Sequence, residues 1–369
     1  MKKNVSLTPA VFHLSDRVNA VAPVYAANPV VPRGPKLAPL LARVQRKIGE
    51  ALGCVDTHRS VILTCSGSGA IAAAVASAAP DSGLLVVSNG AYGERQAAFA
   101  AQAGVRTVHY ALEYGVRPDL AEIERLVTEH GVGAIGMVHG ATSTCSLNPL
   151  VEVGQLAKRL GVRFIVDAIA SVFVDEVDAS LVDVIIGSAN KGLHSNPDLA
   201  FVTVASALLE ELAAQPGRIP YLDLGMTWNK QRVGSHPFTI STRALMELEA
   251  ALDQLAAEGG VPGRHAIYKA RTDLLRAGYE RLGLERFERA GMPLQSIGTA
   301  LMLPAGVTYD DLATRLAAWD RGDERYEIYS AQGKLSDTVF RIFNMGDYPL
   351  ETYERFLGAL EATLADLRA

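Results

Sequence analysis

The sequence has 369 residues, of which 49% are hydrophobic and 20% are charged, a composition typical of globular proteins. Its formal net charge of −5 does not support a nucleic-acid-binding surface. The three cysteines, Cys54, Cys65 and Cys145, are widely spaced and odd in number, so neither a disulfide framework nor a zinc site is expected. No segment reaches the ~18–20 uninterrupted apolar residues of a membrane span, and no apolar region follows the first lysines. We therefore expect a cytoplasmic protein that does not bind membranes.

The chain begins with a segment rich in proline. Residues 1–35 carry prolines at positions 9, 23, 29, 32 and 35 and are predicted to form an extended, irregular arm. Apolar residues then recur at helical spacing from Leu37 to Leu52, with basic residues between them. This periodicity predicts the first helix.

From Ser60 onwards, short apolar strands alternate with helical segments. The predicted strands cover 60–65, 84–88, 105–110, 134–139 and 163–166, and the predicted helices cover 69–79, 94–103, 119–129 and 150–160. Strands that are apolar throughout and separated by helices are typical of a mostly parallel sheet with both faces covered. We predict one large α/β domain over residues 16–258.

The pattern changes after Val204. Predicted helices at 207–215, 241–258 and 263–282 flank an irregular segment at 216–237, and strand-like segments near 298–303, 327–330 and 339–344 alternate with helices near 309–318 and 350–367. This mixture predicts a smaller α+β domain formed by residues 259–369, with residues 1–15 of the arm packed against it.

A lysine lies between two apolar strands. The predicted strands Asp183–Gly187 and Ala200–Val204 are joined by a polar turn that carries Lys191. Surface lysines are common on such turns, but a charge between buried strands is costly unless the lysine reacts as a neutral amine or a Schiff base. Asp167 ends another predicted strand 24 residues earlier. Pyridoxal phosphate enzymes use this order, in which the carboxylate pairs with the ring nitrogen and the lysine binds the aldehyde.

Polar, glycine-rich turns follow the other predicted strands. In an open parallel sheet, ligands bind beyond the carboxyl ends of the strands, so these turns are expected to meet at one edge. Cys65–Ala70 precedes a helix and offers backbone N–H groups to a phosphate, Tyr92 offers a ring, and His139–Cys145 offers three adjacent hydroxyls. Each turn also has an ordinary structural interpretation, as a helix cap or a packing contact. Their convergence with Asp167 and Lys191 favours a cofactor site.

The segments that carry this chemistry resemble class V aminotransferases of the aspartate aminotransferase fold. Within that family they are most similar to the 2-aminoethylphosphonate–pyruvate transaminases, with the alanine–glyoxylate and serine–pyruvate transaminases further off. The matching segments are Cys65–Gly69, Asn89–Arg95, Val138–His139, Leu147–Leu150, Val166–Ala168, Ser188–Lys191, Glu258–His265 and Phe340–Ile342. The resemblance implies a fold type I enzyme with a large, mostly parallel sheet of the seven-stranded type and pyridoxal 5′-phosphate as its cofactor.

The resemblance also implies a role for each matching residue. Lys191 would form the Schiff base with the cofactor and then move a proton between the substrate and the cofactor, while Asp167 would keep the pyridine nitrogen protonated. The other cofactor contacts would come from Ser66, Gly67 and Ser68 on the phosphate, Tyr92 on the ring face, and Thr142 or Ser143 on the ring hydroxyl.

Two further residues concern the substrate and a partner subunit. Arg341 matches the arginine that binds the α-carboxylate of the amino or keto acid, although taken alone it would be interpreted as a solvated strand residue. Thr242 matches the threonine that reaches the phosphate of the other subunit's cofactor, so a homodimer with shared sites is implied. His139 and His194 have no carboxylate or cysteine at ligand spacing, so no metal site is predicted.

The departures from the family's pattern lie on the substrate side. Ala10 and Val11 replace the second half of a Thr-Pro-Gly-Pro segment, Ala141 and Cys145 replace a glutamate and a glycine, residues 194–199 replace a glycine-rich segment, and His236 stands in place of an arginine. We predict a transaminase that moves an amino group from 2-aminoethylphosphonate, or a related small amine or amino acid, to pyruvate or a similar keto acid. The alternatives are a transaminase of the alanine–glyoxylate or serine–pyruvate type, a lyase, decarboxylase or desulfurase with the same cofactor, and a non-catalytic phosphate-binding protein.

Overall fold

The computed structural model describes residues 2–368. Its strands are β1 (Lys3–Ser6), β2 (His58–Leu63), β3 (Leu84–Ser88), β4 (Thr107–Ala111), β5 (Ala134–Val138), β6 (Gly140–Ala141), β7 (Ser146–Leu147), β8 (Arg163–Asp167), β9 (Val184–Ser188), β10 (Ala200–Ala205), β11 (Gly298–Met302), β12 (Glu324–Glu327), β13 (Tyr329–Ser330) and β14 (Val339–Phe343). Its α-helices are α1 (Asp16–Asn19), α2 (Val21–Ala27), α3 (Leu37–Ala51), α4 (Gly67–Ala78), α5 (Ala91–Gln102), α6 (Leu120–His130), α7 (Leu150–Leu160), α8 (Ser206–Ala213), α9 (Leu224–Gln231), α10 (Thr242–Ala257), α11 (Gly260–Arg281), α12 (Tyr309–Ala317) and α13 (Leu350–Arg368).

Seven strands form the central sheet, in the order β2-β10-β9-β8-β5-β3-β4. Strand β10 runs antiparallel to both of its neighbours, and the other neighbouring pairs are parallel. Every residue of β3, β5 and β9 is buried, because helices cover both faces of the sheet. One apolar cluster includes side chains of α3, α6, α7 and α10, and a second includes side chains of α4, α5, α8 and α9. The predicted mostly parallel α/β architecture is therefore confirmed.

Local sequence signals set the ends of the crossover helices. Helix α7 covers residues 150–160, as predicted, and Gly161 follows it in the left-handed conformation at φ 67°, which glycine adopts without strain. Helix α6 begins after Asp119, whose side chain accepts a hydrogen bond from the N–H of Ala121. Its last residue is His130, and the next residue, Gly131, has a φ of 59°. Both helices therefore stop at glycines that turn the chain back into the sheet.

Two segments that were predicted to be irregular contain regular structure. The N-terminal arm holds β1, α1 and α2, and residues 216–237 hold α9. Pro23 does not prevent α2 because it is the third residue of the helix, where the backbone N–H has no intrahelical partner to lose. In α9, the side chain of Asp223 accepts a hydrogen bond from the N–H of Met226 at 2.9 Å and caps the first turn. The prediction of a continuous irregular arm was wrong.

The arm and the C-terminal third of the chain share a second apolar core. Strand β1 pairs in parallel with β12, and Val5 and Leu7 belong to one buried cluster with side chains of α11, α12 and α13. The antiparallel sheet β11-β14-β13 contributes Phe340 and Phe343 to the same cluster. The division into domains at residues 15/16 and 258/259 stays a prediction. The helices of residues 2–368 include none with the length and apolar character that a bilayer crossing requires.

Candidate active site

Lys191 lies in the connection between the neighbouring strands β9 and β10, at the edge of the sheet where β8 also ends. Its side-chain amine donates a hydrogen bond to the main-chain carbonyl of Pro9. Burial and the nearby charge of Arg341 lower the pKa of Lys191 to about 8, against the opposing effect of Asp167. A lysine with this pKa has a substantial neutral fraction near neutral pH, which both nucleophilic and base chemistry require.

Asp167 is the last residue of β8 and pairs in register with Ile186 of β9. Its side chain is buried, and Oδ1 accepts a hydrogen bond from the N–H of Ile169 at 3.0 Å. Burial raises the pKa of Asp167 to about 6, although that N–H and the charges of Arg95 and Lys191 act in the opposite direction. Within residues 2–368 the Ile169 N–H is the hydrogen-bond donor to this carboxylate, which leaves room for a cationic partner.

Ser66 is the N-cap residue of α4, and Gly67 and Ser68 are the first two residues of that helix, which follows β2. Within the described part of the chain, the Ser66 side chain makes no capping hydrogen bond, and the N–H groups of Gly67 and Ser68 have no backbone acceptor, so they are available to an anion. A Cβ atom at Gly67 would lie 2.7 Å from Cδ1 of Ile169. Glycine at this position therefore lets the turn approach the chain immediately after Asp167.

Tyr92 lies in the first turn of α5, directly after the end of β3. The guanidinium carbon of Arg95, one turn further along the helix, lies 4.7 Å from the centre of the Tyr92 ring. The same guanidinium donates a hydrogen bond to Oγ of Ser68 at 2.9 Å. From the segment after β13, Nε2 of Gln332 donates to the Tyr92 hydroxyl at 3.4 Å. Tyr92 therefore lies between Arg95, which bonds to the first turn of α4, and Gln332, which follows β13.

Thr142 and Ser143 follow β6, and both are buried. Within residues 2–368, Oγ of Ser143 has no hydrogen-bond partner. A Cβ atom at Gly90 would lie 2.6 Å from this oxygen, so the glycine keeps the hydroxyl next to the start of α5. A buried hydroxyl without a partner is costly unless a ligand supplies one. Ser143 therefore offers a hydroxyl for the predicted bond to the ring of the cofactor.

Arg341 belongs to β14 and is 2% exposed, so its interpretation as a solvated strand residue is wrong. Its Nε and Nη2 donate to the carbonyl of Ser330 at 2.9 and 2.6 Å, and its Nη1 donates to the carbonyl of Thr142 at 2.9 Å. Burial lowers its pKa from the ordinary value. No carboxylate within residues 2–368 forms an ion pair with it, and a buried guanidinium in that situation suits an anionic ligand.

Thr242 is the first residue of α10, and its hydroxyl is bonded within its own chain. Oγ1 donates to the carbonyl of Val30 at 2.7 Å and lies 3.1 Å from the hydroxyl of Tyr25. The side chain is buried. Its predicted contact with the cofactor of a partner subunit stays a prediction.

Two asparagines that the sequence analysis did not assign support the site. Nδ2 of Asn89 donates to Oδ1 of Asn148 at 2.7 Å, and Nδ2 of Asn148 donates back to Oδ1 of Asn89 at 3.1 Å. Asn148 also donates to the carbonyl of Val138 at 2.7 Å. This pair joins the end of β3, just before Tyr92, to the end of β5. The matching segments Asn89–Arg95 and Leu147–Leu150 contained both residues, but only the fold shows that they meet.

Three of the residues that depart from the family's pattern, His194, His236 and Cys145, are buried. Nε2 of His194 accepts hydrogen bonds from the Tyr268 hydroxyl and the N–H of Gly346, and burial lowers the pKa of His194 well below its ordinary value. Nδ1 of His236 accepts from the N–H of Phe238 at 3.2 Å. The thiol of Cys145 is buried, and its pKa is raised to about 12. Residues 2–368 contain no cluster of three or more histidine, cysteine, aspartate or glutamate side chains that could hold a metal ion.

A cavity of about 1030 Å³ lies away from these side chains, between the end of α3, residues 173–180 and the first turn of α11. Its lining contains neither Lys191 nor Asp167 nor Arg341. Strand-end position and perturbed pKa values therefore identify the site more directly than cavity size does.

Pyridoxal 5′-phosphate fits these groups because it carries a partner for each of them. Its aldehyde suits the amine of Lys191, its ring nitrogen suits the carboxylate of Asp167, and its ring hydroxyl suits the unpartnered hydroxyl of Ser143. Its phosphate suits the open N-terminus of α4. The fold and the site together define an enzyme that depends on pyridoxal phosphate.

Comparison with known proteins extends this to a family. Residues 30–302 match the family described as aminotransferase class-V, and the chain belongs to that family. It is therefore a pyridoxal-phosphate-dependent aminotransferase. It is 35% identical over 317 residues to the 2-aminoethylphosphonate–pyruvate transaminase of Klebsiella pneumoniae subsp. pneumoniae, covering 84% of this chain and 83% of that protein.

Solved structures share the fold over nearly the whole chain. The subgroup IV aspartate aminotransferase from Thermus thermophilus superposes with a TM-score of 0.87 at 25% identity, covering 99% of this chain and 100% of that one. The alanine–glyoxylate aminotransferase from Nostoc sp. superposes with a TM-score of 0.89 at 22% identity, covering 99% and 96%. The predicted fold type I aminotransferase architecture is confirmed.

Proposed function

We propose that this chain transfers an amino group from 2-aminoethylphosphonate, or a related small amine, to pyruvate or a similar keto acid. The observation that carries the proposal is the burial of Arg341 without a carboxylate partner, close enough to Lys191 to lower its pKa. Pyruvate presents a carboxylate and 2-aminoethylphosphonate presents a phosphonate, and one guanidinium fork can bind either anion in turn. The name of the Klebsiella relative supports the same pair of substrates.

Each predicted cofactor residue has a proposed contact. Pyridoxal 5′-phosphate supplies an aldehyde that bonds to amines and a ring that withdraws electrons from the amine-bearing carbon. The residues proposed to hold it are Ser66, Gly67 and Ser68 at the phosphate, Tyr92 at the ring face, Ser143 or Thr142 at the ring hydroxyl, Asp167 at the ring nitrogen and Lys191 at the aldehyde.

The protein's own contribution is to place charges and move one proton. Lys191, with a pKa of about 8, would take a proton from the amine-bearing carbon of the donor and pass it to the cofactor's aldehyde carbon, and it would move a proton in the opposite direction when the keto acid reacts. Asp167, with a pKa of about 6, is ionised at neutral pH and stabilises positive charge facing it. Arg341 orients the substrate by its anionic end, which leaves the amine-bearing carbon towards Lys191.

A half-reaction with the donor alone tests the proposal. The full chain, loaded with cofactor, is mixed with 2-aminoethylphosphonate, alanine, serine or taurine without any keto acid, and the cofactor absorbance is followed. The donor should lose its amine and become an aldehyde or keto acid in an amount equal to the enzyme, and pyruvate added afterwards should become alanine. If no donor changes the absorbance or leaves its amine on the enzyme, the transaminase proposal fails. The variant Arg341→Met should lose the reaction, while Arg321→Met, which replaces an exposed arginine, should keep it.

Two alternatives give different products in the same experiment. An alanine–glyoxylate or serine–pyruvate type of enzyme would react with alanine or serine and leave 2-aminoethylphosphonate unchanged. A lyase or decarboxylase would release ammonia or carbon dioxide repeatedly without a keto acid. A desulfurase is disfavoured because the buried thiol of Cys145, with its pKa of about 12, is a poor nucleophile at neutral pH.

We further propose that two copies of the chain share their sites. The apolar side chains of Val24, Val31, Tyr221 and Val233 are exposed, and a second copy would cover them. Helix α2 carries Val24 beside Tyr25, whose hydroxyl meets Thr242. Light scattering should give a mass of twice the 39.3 kDa chain.

One double variant and one single variant make this test specific. Val24→Asp combined with Val233→Asp should give the mass of one chain, while Val151→Asp, on helix α7, should keep the doubled mass. A wild-type chain that scatters as one copy would contradict the proposal. A cytoplasmic location also stays a prediction, and cell fractionation tests it.

A further inference from the structure

One guanidinium connects three of the residues assigned to the cofactor. Nη1 of Arg95 donates to Oγ of Ser68 at 2.9 Å, and the guanidinium carbon lies 4.7 Å from the centre of the Tyr92 ring. Its charge also lowers the pKa of Asp167, against the larger effect of burial. Arg95 therefore lies among Ser68, the Tyr92 ring and the carboxylate of Asp167.

Arg95 forms no ion pair with a carboxylate among residues 2–368. Its side chain contacts a hydroxyl and an aromatic ring, both of which are uncharged. Glu94, the adjacent residue, accepts a hydrogen bond from the Tyr114 hydroxyl at 2.7 Å instead. A guanidinium has five donors in a planar fork, so donation to Ser68 leaves others for an anion.

The surroundings of Arg95 carry further partial positive charge. Helices α4 and α5 begin at Gly67 and Ala91, and neither has a side-chain cap within the described residues. The N-terminus of α4, with the positive end of its helix dipole, therefore lies beside the Arg95 guanidinium. A phosphate monoester carries a charge of about −1.5 to −2 near neutral pH, which this arrangement can balance.

We propose that Arg95 is a cofactor-positioning residue that binds the phosphate of pyridoxal 5′-phosphate beside Ser68, in the first turn of α4. The inference rests on the proposed cofactor contacts. The planar guanidinium lies between Ser68 and the Tyr92 ring and keeps donors free for the phosphate. Loss of this side chain weakens binding of the phosphorylated cofactor more than binding of its dephosphorylated analogue.

Binding of two ligands that differ by the phosphate tests this inference. Pyridoxal 5′-phosphate and pyridoxal are titrated separately into the full chain after removal of its cofactor, and each Kd is taken from the absorbance change. Arg95→Gln should raise the Kd of pyridoxal 5′-phosphate about 10- to 100-fold, since hydrogen bonds to charged groups have that effect. The Kd of pyridoxal should change less than threefold, roughly the scatter expected of a distant substitution. Arg46→Gln, on the exposed face of α3, is the matched control and should change neither Kd.

The possible outcomes separate the inference from the proposed function. Equal weakening of both ligands by Arg95→Gln would mean a purely structural role and overturn the inference, as would unchanged binding of both. If the wild-type chain binds neither ligand, the cofactor site itself is wrong and the proposed contacts fail with it. If Arg95→Gln does not fold, Arg95→Lys decides: it keeps the charge but loses the fork, and it should raise the Kd of the phosphorylated ligand alone by a smaller factor. Inorganic phosphate should raise the Tm of the cofactor-free wild-type chain and not that of the Arg95 variant.

Discussion

The side-chain amine of Lys191 bonds to the carbonyl oxygen of Pro9, a residue 182 positions earlier in the chain. Beside it, Nδ2 of Asn190 donates to the carbonyl of Ala10 at 3.1 Å. The proline ring fixes φ of Pro9, which limits the backbone conformations of the arm beside the lysine. The N-terminal arm is therefore a wall of the site. It is also one of the places where the sequence departs from the family's pattern.

The first prediction concerns the reactivity of Lys191. In the cofactor-free full chain, acetylation of Lys191 by acetic anhydride should rise with pH, pass half of its maximum near pH 8 and level off above that, because its neutral form is the nucleophile and burial lowers its pKa to about 8. Ordinary exposed lysines continue to gain reactivity towards about pH 10.4. Peptide mass spectrometry at several pH values measures both. A profile for Lys191 that follows those of the exposed lysines would contradict its burial.

The second prediction separates activity from stability at Asp167. Asp167→Asn should lower transaminase activity about 10²- to 10⁴-fold, because the neutral amide cannot balance a positive charge. The same change should increase the free energy of unfolding of the cofactor-free chain at pH 7.5 by up to about 3 kcal/mol. The folded-state pKa of about 6 lies above the ordinary value, so the carboxyl group disfavours folding once it ionises.

The sign of the effect can be checked through its pH dependence. Because the folded-state pKa of Asp167 is raised, its stabilising effect is fully present below pH 4 and is lost as the pH rises through 6. The advantage of Asp167→Asn should therefore appear above pH 6 and vanish below pH 4 in urea unfolding. Asp81→Asn, which changes a fully exposed carboxylate, serves as the control. Equal destabilisation by Asp167→Asn above pH 6 and below pH 4 would contradict this prediction.

The third prediction concerns Arg341. Arg341→Lys should raise the KM for pyruvate about 10- to 100-fold, because an ammonium cannot reproduce two parallel bonds to a carboxylate. Arg341→Met should remove the discrimination for anionic substrates and also destabilise the fold by about 1–3 kcal/mol, since the carbonyls of Ser330 and Thr142 lose their donor. Steady-state kinetics and urea unfolding measure the two effects. An unchanged KM in Arg341→Lys would show that the substrate anion binds elsewhere.

The fourth prediction concerns the reciprocal amide pair. Asn89→Ala and Asn148→Ala should each destabilise the chain, and the double variant should cost less than the sum by about 0.5–3 kcal/mol, because the two bonds join the same side chains. Asn4→Ala combined with Asn148→Ala is the matched control and should be additive, since Asn4 bonds to Glu327 instead. Additivity in the Asn89–Asn148 cycle would mean that the pair contributes no coupling.

The sequence was most informative where a residue's role depends on its place along one strand. Asp167 ends β8 and Lys191 follows β9, and the parallel arrangement of these two strands is enough to bring both residues to one edge of the sheet. Helical periodicity located α7 to the residue. Chain-local patterns therefore predicted the sheet and the places of these two residues in it.

The sequence was least informative where the partner lies far along the chain. Arg95 donates a hydrogen bond to Ser68, 27 positions earlier in the chain, and the buried Arg341 donates one to the carbonyl of Thr142, 199 positions earlier. Pro23 and Asp223 show a second difficulty, because a residue that usually interrupts regular structure can also begin it. Contacts and caps of this kind depend on how the folded chain packs, and the hydrophobic periodicity of the sequence does not predict them.

The proposed catalytic pair, Asp167 and Lys191, and the proposed anion-binding residue Arg341 belong to different sheets. Asp167 and Lys191 follow neighbouring strands of the central sheet, while Arg341 lies on β14 of the three-stranded sheet. Substitutions in the three-stranded sheet can alter which anions are accepted without moving the amine relative to the carboxylate. Substrate preference can therefore diverge among relatives through changes in the three-stranded sheet, while the central sheet keeps Lys191 and Asp167 in place.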